Sequence, residues 1–173
     1  LAVAMSETGK QVLLIDADVR KPSLRTIFEM TDDGHQADLV SYLRRRTPFE
    51  AAVRPVAGVR NLSVVPAMTG VSATEVSELM EPERLKNMLR EAAERFDCVI
   101  VDSPPMGAVG EPLLLASLIK SVMLVVRAGR TGKGLVQRAV DHLGEAQVSP
   151  VGVVLIFADV DRRGYYGYGY YYG

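Results

Sequence analysis

Two apolar runs in this chain end abruptly in acid. Leu13-Leu14-Ile15 leads into Asp16-Ala17-Asp18-Val19-Arg20-Lys21-Pro22, and Val99-Ile100-Val101 leads into Asp102-Ser103-Pro104-Pro105. A carboxylate at the end of an apolar strand is a hard oxygen donor, suited to holding Mg²⁺ against nucleotide phosphates directly or through water. In open α/β sheets, ligands bind beyond the carboxyl ends of the strands, which is where these acids fall. One apolar run closed by one Asp is an ordinary strand-end turn. Two of them, one as Asp-x-Asp before Arg-Lys-Pro and the other before Ser-Pro-Pro, form a rarer combination that favours a nucleotide site. Arg20 and Lys21 are candidates to stabilise transferred charge; a solvated surface cation is the plainer reading of Lys21, and for Arg20 the two readings stand level.

The second segment that carries chemistry is the C-terminus. Six of the seven tyrosines lie there, Tyr165, Tyr166, Tyr168, Tyr170, Tyr171 and Tyr172, interleaved with glycine after Arg162-Arg163. With no aliphatic residue and no periodic core face, residues 161–173 read as a flexible tail. Each tyrosine hydroxyl is a potential phosphate acceptor, and each phosphate adds roughly −1.5 to −2 charges near neutral pH.

Other side chains offer less. His35 and His142 lie far apart without ligand spacing, which argues against zinc. Ser103 lacks the glycine-flanked elbow of a hydrolase nucleophile. Cys98 is the single cysteine, sits in an apolar run and reads as core. Arg44-Arg45-Arg46 closes a short helical stretch and reads as a solvated face, with an acidic partner or membrane surface as the alternative. A net charge of −1 gives no global electrostatic reason to expect nucleic acid. The longest apolar runs are too short to span a bilayer.

The elements that must position these groups follow from the apolar pattern. Val12–Ile15, Leu62–Val65, Cys98–Val101, Val122–Val126 and Val151–Phe157 are nearly continuous apolar runs, the signature of strands buried on both faces of a parallel sheet. Glu81–Arg95, Leu113–Ile119 and Lys133–Leu143 carry apolar residues at helical spacing. Leu1–Met5 reads as helix, ending near Thr8-Gly9 with Gly9 as the cap. Buried strands alternating with helices predict an α/β fold, a doubly wound and mostly parallel sheet with helices on both faces. Residues 1–160 form that domain and 161–173 the tail.

On these residues the chain resembles the bacterial tyrosine kinases, P-loop NTPases of the MinD/ParA-like group. LLIDADVRKPSL (Leu13–Leu24) is similar to their second, A′-type Walker motif, and CVIVDSPP (Cys98–Pro105) to their Walker B. NLSVVPA (Asn61–Ala67) resembles the intervening strand, and the tyrosine-rich end their phosphorylated tail. The resemblance implies ATP and Mg²⁺ as cofactors and autophosphorylation of the tail, at the inner, cytoplasmic face of the cell membrane. It places that activity in control of capsule and exopolysaccharide chain length and export. It further implies a transmembrane activator or polysaccharide co-polymerase, fused or separate, self-association into a ring, and a tyrosine phosphatase. It assigns Asp16 to orient or deprotonate the incoming tyrosine hydroxyl, and Asp18 and Asp102 to the Mg²⁺ shell. Asp16 and Asp18 share one strand end, and either suits the γ-phosphate.

Two departures stand against that pattern. A P-loop needs G-x-x-x-x-G-K-[ST] to wrap the phosphates in backbone N–H groups. Gly9-Lys10 is followed by Gln11, and Gly132-Lys133 by Gly134, so neither qualifies. The family places the loop just before the helix that Leu1–Met5 continues, so the expectation is a chain cut before its Walker A loop, inactive by itself. The run Val151–Phe157 ends in Leu155-Ile156-Phe157, without the Asn that relatives use to read adenine. Two alternatives to the autokinase remain: a MinD/ParA-like ATPase switch, and a non-catalytic scaffold whose tail is phosphorylated in trans.

Overall fold

A strand that is apolar at every position must be covered on both faces, and Val12–Asp16 (β1) meets that demand, with all five residues buried. In the computed structural model, which describes residues 1–30, 37–68, 70–107 and 110–158, β1 lies inside a four-stranded sheet. Its neighbours are Leu62–Val65 (β3) and Cys98–Asp102 (β4), both parallel to it, in the order β2-β3-β1-β4. The short Arg54–Pro55 strand (β2) closes one edge, antiparallel to β3. The chain crosses from β1 to β3 on one side and returns over β1 to β4 on the other, which leaves β1 central.

Helices complete the layers. Ala2–Ser6 (α1) precedes β1, and Gly9 beyond it takes the left-handed backbone (φ 88°) expected of a terminating glycine. Leu24–Ile27 (α2), Leu39–Leu43 (α3) and Phe49–Ala52 (α4) fill the β1–β3 connection. Ala2 and Leu24 pack with Val12, Leu14, Leu62 and Val64 on one face of the sheet. Leu13 and Ile15 point to the opposite face and are wholly buried.

Ala73–Leu79 (α5) and Pro82–Ala93 (α6) link β3 to β4. Ser72 caps α5 by accepting the Glu75 N–H at 3.2 Å. Proline opens α6, where its missing N–H costs nothing, and Leu85, Met88 and Ala92 form its buried stripe. Glu111–Ile119 (α7) starts two residues before the predicted helix, because Pro112 is tolerated in a first turn.

The chain divides into two units, Leu1–Leu118 and Ile119–Gly173. In the second, Val122–Arg127 (β5) and Pro150–Ile156 (β6) pair in parallel, joined through Lys133–Glu145 (α8). Both were expected to be buried on two faces, yet Val125 is 62% exposed and Val153 58%. β4 is only half-buried as well, and Cys98, expected in the core, is half-buried against it. The architecture is α/β with a mostly parallel sheet.

Candidate functional site

The site grows from the end of β1. Asp16 stands opposite Asp102 in the parallel register, and the ladder extends one step further as the Ala17 N–H donates to the Asp102 carbonyl at 2.8 Å. The chain then turns through residues 17–23 into α2. Asp16 is completely buried, and its Oδ2 accepts the N–H groups of Ser23 and Leu24, each at 3.0 Å. Ser23 occupies the cap position of α2 but makes no side-chain cap bond, so the Asp16 carboxylate satisfies the first N–H of that helix instead. One carboxylate thereby ties the strand end to the far end of its own loop.

The other oxygen, Asp16 Oδ1, is buried with no hydrogen-bond partner. Burial pushes the Asp16 carboxyl above its ordinary value and the Asp18 charge adds to this, while the backbone N–H groups of Leu24, Ser23 and Asp18 pull it back. Asp102 is also raised, first by desolvation against the strand end and then by the charges of Asp16 and Asp18, although the residue keeps an exposed surface. Three acids thus stand together at the carboxyl ends of β1 and β4, and burial with the neighbouring negative charges disfavours ionisation of Asp16 and Asp102.

Sequence reasoning left Asp16 and Asp18 interchangeable, and the structure separates them. Asp18 is half-buried, and its Oδ1 accepts the Lys21 N–H at 3.0 Å. The donor set suits Mg²⁺: hard carboxylate oxygens at the strand ends, one of them buried and unpaired. Among the described residues no group of three or more His, Cys, Asp or Glu is placed to hold a metal unaided.

Arg20 does not dangle in solvent. Its Nη2 donates to Glu111 Oε1 at 2.7 Å, and Glu111 is buried at the start of α7 with its Oε2 unpartnered. Glu111 escaped the sequence reading; its only signal is an acid in the first turn of a helix, which is commonplace. Ser103 Oγ donates to the Pro104 carbonyl at 3.2 Å, in keeping with a turn residue. In the second unit, the Arg127 guanidinium lies 4.5 Å from the Phe157 ring centroid at the carboxyl ends of β5 and β6. Tyr165, Tyr166, Tyr168, Tyr170, Tyr171, Tyr172 and His35 lie outside the described residues.

Residues 1–135 match a family model described as AAA domain. Over 168 residues the chain is 30% identical to the tyrosine-protein kinase YwqD of Bacillus subtilis, covering 97% of this chain and 68% of YwqD. The kinase domain of Escherichia coli tyrosine kinase ETK is similar in structure, with a TM-score of 0.83 at 27% identity. That match covers 98% of this chain but 64% of the ETK chain, just under two thirds of it. The fold extends to the septum site-determining protein MinD of Pyrococcus horikoshii, with a TM-score of 0.71 at 18% identity over 89% of this chain and 60% of that one.

Proposed function

The chain belongs to the bacterial tyrosine-protein kinases, within the AAA domain family, and we propose that it supplies the acidic half of an ATP-dependent tyrosine autokinase site together with its substrate tail. The observation that carries this reading is the buried Asp16 with one unpaired oxygen, in register with Asp102 at the strand ends. Bound ATP–Mg²⁺ supplies the phosphoryl group and neutralises its charge. Asp18 and Asp102 hold the metal, directly or through water. Asp16, the most shielded of the three, orients the tyrosine hydroxyl and takes its proton, a role that a raised carboxyl pKa favours. Arg20, steadied by Glu111, faces the transferred charge.

The acceptors are Tyr165, Tyr166, Tyr168, Tyr170, Tyr171 and Tyr172. Their phosphorylation regulates capsule or exopolysaccharide chain length and export at the inner face of the membrane. The partners are a transmembrane co-polymerase, further copies of the chain in a ring, and a tyrosine phosphatase. Among the described residues, no helix is long and apolar enough to cross a membrane.

The 173 residues contain no G-x-x-x-x-G-K-[ST] loop, and phosphoryl transfer depends on positioning and charge stabilisation that such a loop provides. The chain by itself therefore binds ATP–Mg²⁺ too weakly to saturate at micromolar concentration, and calorimetry showing micromolar affinity would overturn this. In a version extended upstream by a glycine-rich phosphate loop, ATP–Mg²⁺ alone yields phosphotyrosine. There, Asp16→Asn slows the reaction about 10²-fold or more, and replacing the six tail tyrosines with Phe removes most of the signal. Hydrolysis of ATP without phosphotyrosine would favour an ATPase switch instead. An undiminished signal after the six replacements would refute the tail as acceptor.

A further inference from the structure

The triple arginine at the end of α3 is more organised than a solvated face. Arg44 is turned aside, with its Nε donating to Glu75 Oε1 at 2.8 Å. Arg45 follows in the left-handed region (φ 58°). Its N–H reaches the Tyr42 carbonyl at 2.8 Å, and the Arg46 N–H reaches the Ser41 carbonyl at 2.9 Å. This pair of bonds is the helix-ending pattern that normally employs glycine, because a Cβ is strained at that φ. An arginine is therefore held at a position whose backbone favours another residue, and neither Arg45 nor Arg46 makes an ion pair among the described residues.

Arg45 and Arg46 line an open cleft of about 490 Å³ together with Arg84, Thr47, Tyr42 and Pro48, and among the described residues no acidic side chain lines it. The walls are fixed. Arg84 Nη1 donates to the Leu43 carbonyl at 2.7 Å and its Nε to Glu81 Oε2 at 3.0 Å. Tyr42 is anchored by its hydroxyl on Glu91 Oε1 at 2.8 Å and by edge-on contact with the Phe49 ring at 5.4 Å. The cleft thus sets guanidinium groups and a hydroxyl beside an aromatic ring and a proline. Guanidinium forks match a phosphate dianion, and the apolar wall matches an aromatic ring attached to it.

We propose that this cleft binds phosphotyrosine, its occupant being the phosphorylated tyrosine cluster of this chain's own C-terminus. Gly164–Gly173 carries no charged side chain, so a phosphate would supply the only side-chain charge for the arginines to hold and make the contact conditional on modification. The proposal rests on the autokinase reading only for the source of that phosphate.

The test is a titration of the full 173-residue chain, unphosphorylated, with a labelled synthetic peptide of the Gly164–Gly173 sequence phosphorylated chemically at Tyr170 and read by fluorescence anisotropy. The phosphorylated peptide binds at least tenfold more tightly than its unphosphorylated form. Arg45→Gly with Arg46→Gln weakens it at least tenfold, while Arg45→Gly alone raises the melting temperature by relieving the left-handed arginine. Arg45→Gly alone also weakens the phosphorylated peptide's binding, and weaker binding in a more stable fold cannot come from damage to the protein. Equal binding of the two peptides, or affinity unchanged in the double variant, would overturn the proposal. So would equally tight binding of inorganic phosphate, ATP–Mg²⁺ or phosphatidylglycerol vesicles with the same arginine dependence, since the cleft would then be a general anion surface. Because the peptide is phosphorylated chemically, an inactive kinase leaves the expected binding intact, and an active kinase whose cleft ignores the peptide refutes this proposal alone.

Discussion

Replacing Asp16 with alanine or with asparagine separates two functions that one carboxylate performs. Oδ2 holds the Ser23 and Leu24 N–H groups, and Leu24 is buried at 5% exposure. Asp16→Ala removes the acceptor for both donors. A buried donor left unpaired costs about 1–3 kcal/mol, and half-buried Ser23 recovers part of its loss through water. The expected destabilisation is about 2–4 kcal/mol. Asparagine keeps an oxygen for the two donors and places an amide where Oδ1 now lies unpaired. It also removes a charge that burial and Asp18 disfavour. Asp16→Asn therefore unfolds within about 1 kcal/mol of the unaltered protein, or is more stable. Urea unfolding at neutral pH, followed by circular dichroism, measures both. Equal stability of the two variants would show that the two N–H bonds do not hold the loop, and the reasoning would fail.

Stability should also depend on pH through this cluster. Asp16 and Asp102 are both raised, so between their ordinary and raised values the folded chain binds more protons than the unfolded one, and stability falls as pH rises from about 4. Melting temperatures measured across that window decline less steeply in Asp102→Asn than in the unaltered protein; a steeper decline would reverse the assigned sign. In α6, Leu85 is wholly buried, and Leu85→Ala lowers the unfolding free energy by about 2–5 kcal/mol; a loss below about 1 kcal/mol would mean that the helix does not seal the core.

Much of the scaffold was legible because its signals are local. An apolar run closed by Asp specifies a strand and where its carboxylate stands, and β1, β3 and β4 lie within a residue of where the runs place them. The short helices α2, α4 and α5 were not read, since four to seven residues give too little period to distinguish a turn from a helix. Strand identity in the second unit was legible but burial was not, because an apolar run records what a residue prefers and not what covers it.

The sequence by itself determined which residue types stand at the strand ends, that the sheet is mostly parallel, and that a tyrosine cluster lies at residues 165–172. Tertiary structure alone decided what each acid does there. Asp16 became the buried brace of its loop with one oxygen unspent, and Asp102 came into register beside it from 86 residues away along the chain. Arg20 found Glu111 across a separation of 91 residues. Spacing along a chain carries no record of such meetings, because closing a loop adds a cost that changes only slowly with its length and leaves the choice of partner to the packing around it.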